Sequence, residues 1–317
     1  MLTTRPLGKA GINVTEIGFG AWAIGGGFRH YGPVSENIAH ACLRTYLELG
    51  GNFIDTARRY GVSERIIGDF FAREGNREEV VIASKSRALE IDDLRAEVEE
   101  SLRLLRTDYI DIYFMHLPPD DPDQMNRTFD AYEQMKQEGK IRVIGASIKG
   151  PDVTGHTVEL CRRYIRSGRV DVLMVIYSIQ RPLLGEILEE AQEAGVGIVA
   201  RTVLESGFLA GKYPPGHQFT GKDHRTRWTQ GRVNAILEDV QQLKKIAVAP
   251  PYETLGQVAI RFALDRPEVG SVVLGGKTPA QVEANMNAAS LPALSQELRG
   301  RLGDMYHSRT TEFNTDT

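Results

Sequence analysis

The chain has 317 residues, 41% of them apolar, and a formal net charge of −4. That is enough for one large domain with a sizeable core. Both signs of charge are spread along the chain without a basic block, which argues against nucleic acid, and no apolar run approaches the roughly 18 residues of a membrane span.

The chain opens with MLTTRPLGKAGIN, in which Leu7-Gly8-Lys9-Ala10-Gly11 has the composition of a hairpin turn. This segment has no apolar h-region, so a secretory leader is not expected and a cytoplasmic location is. Short apolar runs follow in order: Glu16 to Phe19, Phe53-Ile54, Val80 to Ala83, Ile110 to Met115, Val143 to Ala146, Val172 to Tyr177, Gly197 to Ala200 and Ser271 to Leu274. Near-continuous apolar runs of this length suit strands of a parallel sheet buried on both faces.

Amphipathic segments separate them. Ile38, Cys42, Tyr46 and Leu49 recur at helical spacing, as do Ile91, Leu94, Val98, Leu102 and Leu105, and again Val233, Ile236, Val240, Leu243 and Ile246. Stop signals fall at Gly50-Gly51, Gly139, Gly168 and Gly195. Eight strands alternating with helices predict one (β/α)8 TIM barrel over residues 1–317, of α/β class, with the N-terminal β-hairpin plugging its bottom. The rival is an open doubly wound sheet. It would carry GxGxxG after its first strand, and "GAWAIGGGFRH" lacks a helix start at that spacing. A long polar loop, 213–230, follows the seventh strand. Cys42 and Cys161 sit in helical patterns without metal-ligand spacing, so they read as reduced core thiols and no metal is expected.

Chemistry in such a barrel gathers at the C-terminal ends of its strands. The second strand ends in Asp55, the third in Lys85 and the fourth in His116, with Tyr60 in the loop after Asp55. Each has a structural alternative. An Asp after a strand can cap the next helix, although Gly61 or Ser63 is the better cap here. A lone His or Tyr more often packs. Together they suit proton transfer to a carbonyl oxygen: a phenol as acid, an ammonium to stabilise its phenolate, a carboxylate to hold the ammonium, and an imidazole to hydrogen-bond the oxygen. The set lacks a nucleophile and a metal. The missing reagent is a hydride, which a nicotinamide cofactor supplies.

These features resemble the aldo-keto reductase superfamily, and the chain looks like a divergent, bacterial-type member. The similarity runs through RPLGKAGINVTEIGFGAWAIGG, FIDTARRYG, IASK, MHLP, GKIRVIGAS, SGFLAGKY and VVLGGKTPAQVEAN. The resemblance implies that Asp55, Tyr60, Lys85 and His116 are a catalytic tetrad. It implies that an NAD(P)(H)-dependent reductase or alcohol or sugar dehydrogenase is encoded, acting on a small-molecule aldehyde, ketone, sugar or alcohol with no nucleic-acid or membrane partner. The alternative function is a cofactor-binding regulatory or redox-sensing subunit.

Thr278 and Pro279 form a helix N-terminus beside Lys277, a natural phosphate site. The resemblance places the 2′-phosphate at Lys277 and Thr278, and the adenine at Gln281 and Asn285. It favours NADP(H) over NAD(H), although many relatives carry an arginine in place of Gln281. It adds Gly20, Ala21, Trp22, Ser147, Gln180, Arg201, Thr202, Leu204, Lys212 and Gly275 as further cofactor positions. Ile148 and Met174 stand where relatives have amides for the nicotinamide carboxamide, and Arg201 stands where an aromatic stacks on the ring. Trp22, Phe28, His30 and Tyr31 are candidate substrate contacts, and Asp223, His224, Arg225 and Trp228 lie on the long loop.

Overall fold

The structure is a computed structural model, and it describes residues 3–26, 32, 34–148 and 152–309. A hairpin of β1 (Thr4–Pro6) and β2 (Asn13–Thr15) precedes the barrel. The barrel strands are β3 (Ile17–Gly20), β4 (Phe53–Asp55), β5 (Val81–Ser86), β6 (Ile110–Met115), β7 (Ile141–Ser147), β8 (Val172–Ile176), β9 (Gly197–Arg201) and β10 (Val269–Leu274). They pair in parallel and in sequence order, and β10 closes on β3. The eight expected runs are these eight strands.

The helices lie outside the barrel: α1 (Glu36–Glu48), α2 (Ser63–Glu74), α3 (Ile91–Leu105), α4 (Pro122–Gln137), α5 (Gly155–Arg166), α6 (Leu188–Ala194), α7 (Gln230–Ala247), α8 (Leu255–Leu264), α9 (Pro279–Asn287) and α10 (Gln296–His307). The three helical stripes fall on α1, α3 and α7. Ile38 departs from its stripe: it is 42% exposed and lines a cleft rather than the core.

Strand alternation divides the core. Phe53, Ala83, Ile112, Phe114, Val143, Val172, Met174 and Val199 point into the barrel and pack on Leu7, Ile12 and Val14 of the hairpin. The hairpin therefore closes the bottom, as expected. The alternate residues, such as Ile54, Ile82 and Tyr113, face the helices in a larger outer cluster. Cys42 and Cys161 are free and buried there, and burial pushes the Cys42 thiol up to about 11 and the Cys161 thiol up to about 12.

The expected cap of α2 is corrected. Val62 occupies the N-cap position without a side-chain bond, and Ser63 is the first helical residue. The Ser63 hydroxyl instead meets Thr56 Oγ1 at 2.5 Å, which ties the helix start to the end of β4.

Candidate active site

Asp55 is the last residue of β4, on the inward-facing row with Phe53. Lys85 follows Ala83 on the inward row of β5, while Ser84 and Ser86 turn outward to Glu64 and Glu97. His116 comes directly after β6, two residues past inward-facing Phe114, and its backbone N–H donates to the Ser86 carbonyl at 2.7 Å. Parallel pairing thus brings three neighbouring strand ends together.

Tyr60 reaches the same place from its loop. The Arg58 N–H donates to the Lys85 carbonyl at 3.1 Å, and the Arg58 guanidinium pairs with buried Glu64 at 2.6 Å. Gly61 then reverses the chain at φ +61°, and a Cβ there would lie 2.5 Å from the Gly25 carbonyl oxygen. Only glycine accepts both that backbone region and that approach.

The four side chains form one contact set. Lys85 Nζ, buried, donates to Asp55 Oδ1 at 2.5 Å, to the Thr56 carbonyl at 2.7 Å and to the Tyr60 hydroxyl at 3.4 Å. The Tyr60 and His116 rings meet edge to face with centroids 5.8 Å apart. Burial raises the Asp55 carboxyl, and the Lys85 ammonium pulls it back. Burial, then the charges of Lys85, Arg201, Arg87 and Arg59, push the His116 imidazole down to about 3. At neutral pH it is an uncharged ring with one donor and one acceptor nitrogen. Its Nδ1 is buried and has no partner among the described residues.

A cleft of about 1080 Å³ opens over this set. Asp55, Tyr60, Gly20 and Trp22 line it, as do Gly275, Lys277, Thr278, Gln281 and Asn285 around the N-terminus of α9. Gln180, Arg201, Thr202, Leu204 and Lys212 line it too. Ala21 and Ser147 are buried and do not line it. Phe28, His30 and Tyr31 lie outside the described residues.

Details around the cleft differ from the sequence expectation. Ile148 packs in the outer cluster, so only Met174 of that pair points into the barrel. Gln180 Nε2 donates to Asp239 of α7 at 2.8 Å. Arg201 donates to the Ile148 carbonyl at 3.0 Å and to Thr202 Oγ1 at 3.2 Å. Glu205 is taken by Arg181, at 3.0 Å and 2.6 Å, and by the Ser178 hydroxyl. That buried ion pair was not anticipated. The one signal for it was an arginine in IYSIQRP, shortly after the apolar run of β8, since a buried charge requires a counter-charge.

Thr278 caps α9, accepting from the Gln281 N–H at 3.3 Å, with Pro279 in the first turn. Gln281 Oε1 accepts from the Lys277 N–H at 2.9 Å, and Asn285 Nδ2 donates to the Gly275 carbonyl at 3.2 Å. On the long loop, Asp223 holds Arg225 at 2.9 Å and 2.7 Å, and the Trp22 ring meets His224 edge-on at 4.8 Å. No group of three or more His, Cys, Asp or Glu placed for a metal occurs among the described residues. No helix among them is long and apolar enough to cross a membrane.

The sequence matches the model of the aldo/keto reductase family over residues 16–304. The chain belongs to that family. This aldo/keto reductase is 32% identical to the L-galactose dehydrogenase of Arabidopsis thaliana, over 90% of this chain and 88% of that protein. It is 31% identical to the NADH-specific methylglyoxal reductase of Escherichia coli, over 90% and 93%. The holo form of an aldo-keto reductase from Bacillus halodurans superposes with a TM-score of 0.77 at 26% identity, covering 96% of each chain. The protein is therefore an oxidoreductase of this family, whose general chemistry is carbonyl–alcohol interconversion.

Proposed function

We propose that this protein interconverts a small aldehyde, ketone or sugar and the corresponding alcohol, using NADP(H) in preference to NAD(H). The observation that carries the reading is Lys85 Nζ, placed between the Asp55 carboxylate and the Tyr60 hydroxyl beneath a cleft that extends to the N-terminus of α9. A nicotinamide cofactor fits the donors present. Lys212, Lys277 and the capped helix end of α9 line the cleft and offer phosphate contacts. Tyr60 lines the same cleft, and the His116 ring, whose buried Nδ1 has no partner among the described residues, packs edge to face against the Tyr60 ring.

When bound, the nicotinamide supplies or accepts the hydride. Tyr60 gives its phenolic proton to the carbonyl oxygen during reduction and takes it back during oxidation. Lys85 stabilises the phenolate left behind. Asp55 fixes the ammonium in place, helped by the Thr56 carbonyl. His116, being neutral, donates a hydrogen bond to the substrate oxygen as negative charge develops there.

Preference for NADP(H) rests on Lys277 beside the α9 N-terminus, where an additional phosphate gains the most. Gln281 adds no second charge there. Trp22 lines the cleft beside Tyr60 and is the candidate substrate contact among the described residues. The test is steady-state turnover of aldehydes, ketones and aldoses with both cofactors in both directions. Turnover that requires Tyr60 supports the proposal. Tight cofactor binding without turnover of any carbonyl would favour a regulatory, redox-sensing role instead.

A further inference from the structure

Several of the charges around the cleft are balanced. Lys85 has Asp55 at 2.5 Å, Arg181 has Glu205 at 2.6 Å, and Arg225 has Asp223 at 2.7 Å. Arg201, at the end of β9, differs. Its two hydrogen bonds go to neutral oxygens, and it has no carboxylate partner among the described residues. Its Nε is buried without an acceptor. The carboxylates whose field reaches it, Asp55 and Glu205, are already held by Lys85 and Arg181. A partly buried guanidinium without a counter-charge is held less favourably than a paired one, and a ligand that brings an anion into the cleft supplies the missing charge.

The position of this charge narrows the ligand. Arg201 and Tyr60 line the same cleft. Two further arginines stand on the loops around the tetrad. Arg59 is exposed directly before Tyr60, and Arg87 is exposed directly after Ser86, whose carbonyl holds the His116 backbone. Neither has a carboxylate partner among the described residues, whereas neighbouring Arg58 is paired with Glu64. The surroundings of the tetrad thus carry three arginines that no described acid neutralises. An array of this kind raises the local concentration of anions and speeds their approach.

We infer that Arg201 is the counter-ion for an oxyanion on the substrate, so that the preferred substrates are small carbonyl compounds or alcohols carrying a carboxylate or phosphate. This rests on the carbonyl–alcohol reading above. Arg201 uses two of its five N–H donors on the protein, and the flat guanidinium can present others to a planar or tetrahedral oxyanion. The cofactor phosphates share this chemistry. Lys212 and Lys277, which also line the cleft, are the residues proposed above for those phosphates.

The test compares substrates of matched size. We would measure kcat/KM for 4-oxobutanoate against its methyl ester, and for glyceraldehyde 3-phosphate against glyceraldehyde. The wild type should prefer a charged member by at least about tenfold. Arg201→Met should cut that ratio by roughly ten- to a hundredfold, and Arg201→Lys should restore part of it. Arg59→Gln with Arg87→Gln should lower the ratio a few-fold and flatten its dependence on salt. Equal kcat/KM for charged and uncharged members in the wild type would overturn the inference. So would a ratio preserved in Arg201→Met alongside a cofactor Kd raised tenfold or more by fluorescence titration, since the guanidinium would then serve the cofactor. Thermal shifts with succinate keep the two readings separable. A shift seen in the wild type and lost in Arg201→Met supports the anion site even if no carbonyl is turned over, and no shift in either opposes it.

Discussion

Lys85 Nζ touches Asp55 Oδ1 at 2.5 Å and the Tyr60 hydroxyl at 3.4 Å, so one buried ammonium joins the carboxylate at the end of β4 to the phenol five residues later. The pair Asp55–Lys85 is almost wholly out of water. Removing one member leaves the other as an uncompensated buried charge. Lys85→Met should therefore destabilise the fold by about 3–5 kcal/mol, and adding Asp55→Leu should recover much of that loss. Urea unfolding of the single and double variants decides this; an equally unstable double variant would mean that packing, not charge, dominates.

On the proposed mechanism, Tyr60→Phe removes the proton donor and little volume. It should lower kcat by about 10²-fold or more while stability and cofactor affinity stay close to wild type. The check is single-turnover reduction, where chemistry is isolated from product release. A near-normal rate in that experiment would show that another group protonates the carbonyl oxygen.

Gly61 is the positional control on Tyr60. A Cβ at this residue meets the Gly25 and Gly26 carbonyl oxygens at 2.5 Å and 2.6 Å, on backbone at φ +61°. Gly61→Ala should cost about 1–3 kcal/mol of stability. It should also reduce kcat more than KM, because the loop that aims the phenol must shift. Wild-type stability and kcat in this variant would show that the loop yields without moving Tyr60.

Lys277→Ala should weaken NADP(H) by about 1–3 kcal/mol and leave NAD(H) nearly unchanged, since only the former carries the additional phosphate. Fluorescence titration with both cofactors measures it. Equal losses for the two would assign Lys277 to support of the loop before α9.

His116 links stability to pH. Its folded-state value is depressed to about 3 by burial and by Lys85, Arg201, Arg87 and Arg59. An unfolded histidine titrates near ~6.5. Between these values the unfolded chain holds one more proton, so stability rises with pH through this window and this contribution to instability is absent above it. From pH 7 down to pH 5 the residue should withdraw about 2 kcal/mol. His116→Gln should lose less stability than the wild type over that range; parallel curves for the two proteins would show that the imidazole titrates normally in the fold.

The sequence determined the barrel, because eight apolar runs with helical stripes between them leave few ways to bury both faces of a parallel sheet. It determined the meeting of Asp55, Lys85 and His116 for the same reason: each lies at or next to the C-terminal end of one of three neighbouring parallel strands, which converge whatever the loops do. Thr278 and Pro279 announced the start of α9 through local capping chemistry, which needs no distant partner. Tertiary structure alone decided the rest. Strand alternation turned Ile148 outward while Met174 stayed inside, a difference of one residue in phase. Ser63 left its expected cap for Thr56 because the barrel brought that hydroxyl within 2.5 Å. Glu205 went to Arg181 and left Arg201 without a carboxylate partner among the described residues, a choice between an arginine on the loop after β8 and one at the end of β9. Ion pairs of that kind depend on which chain segments meet in space, and residue order does not encode that locally.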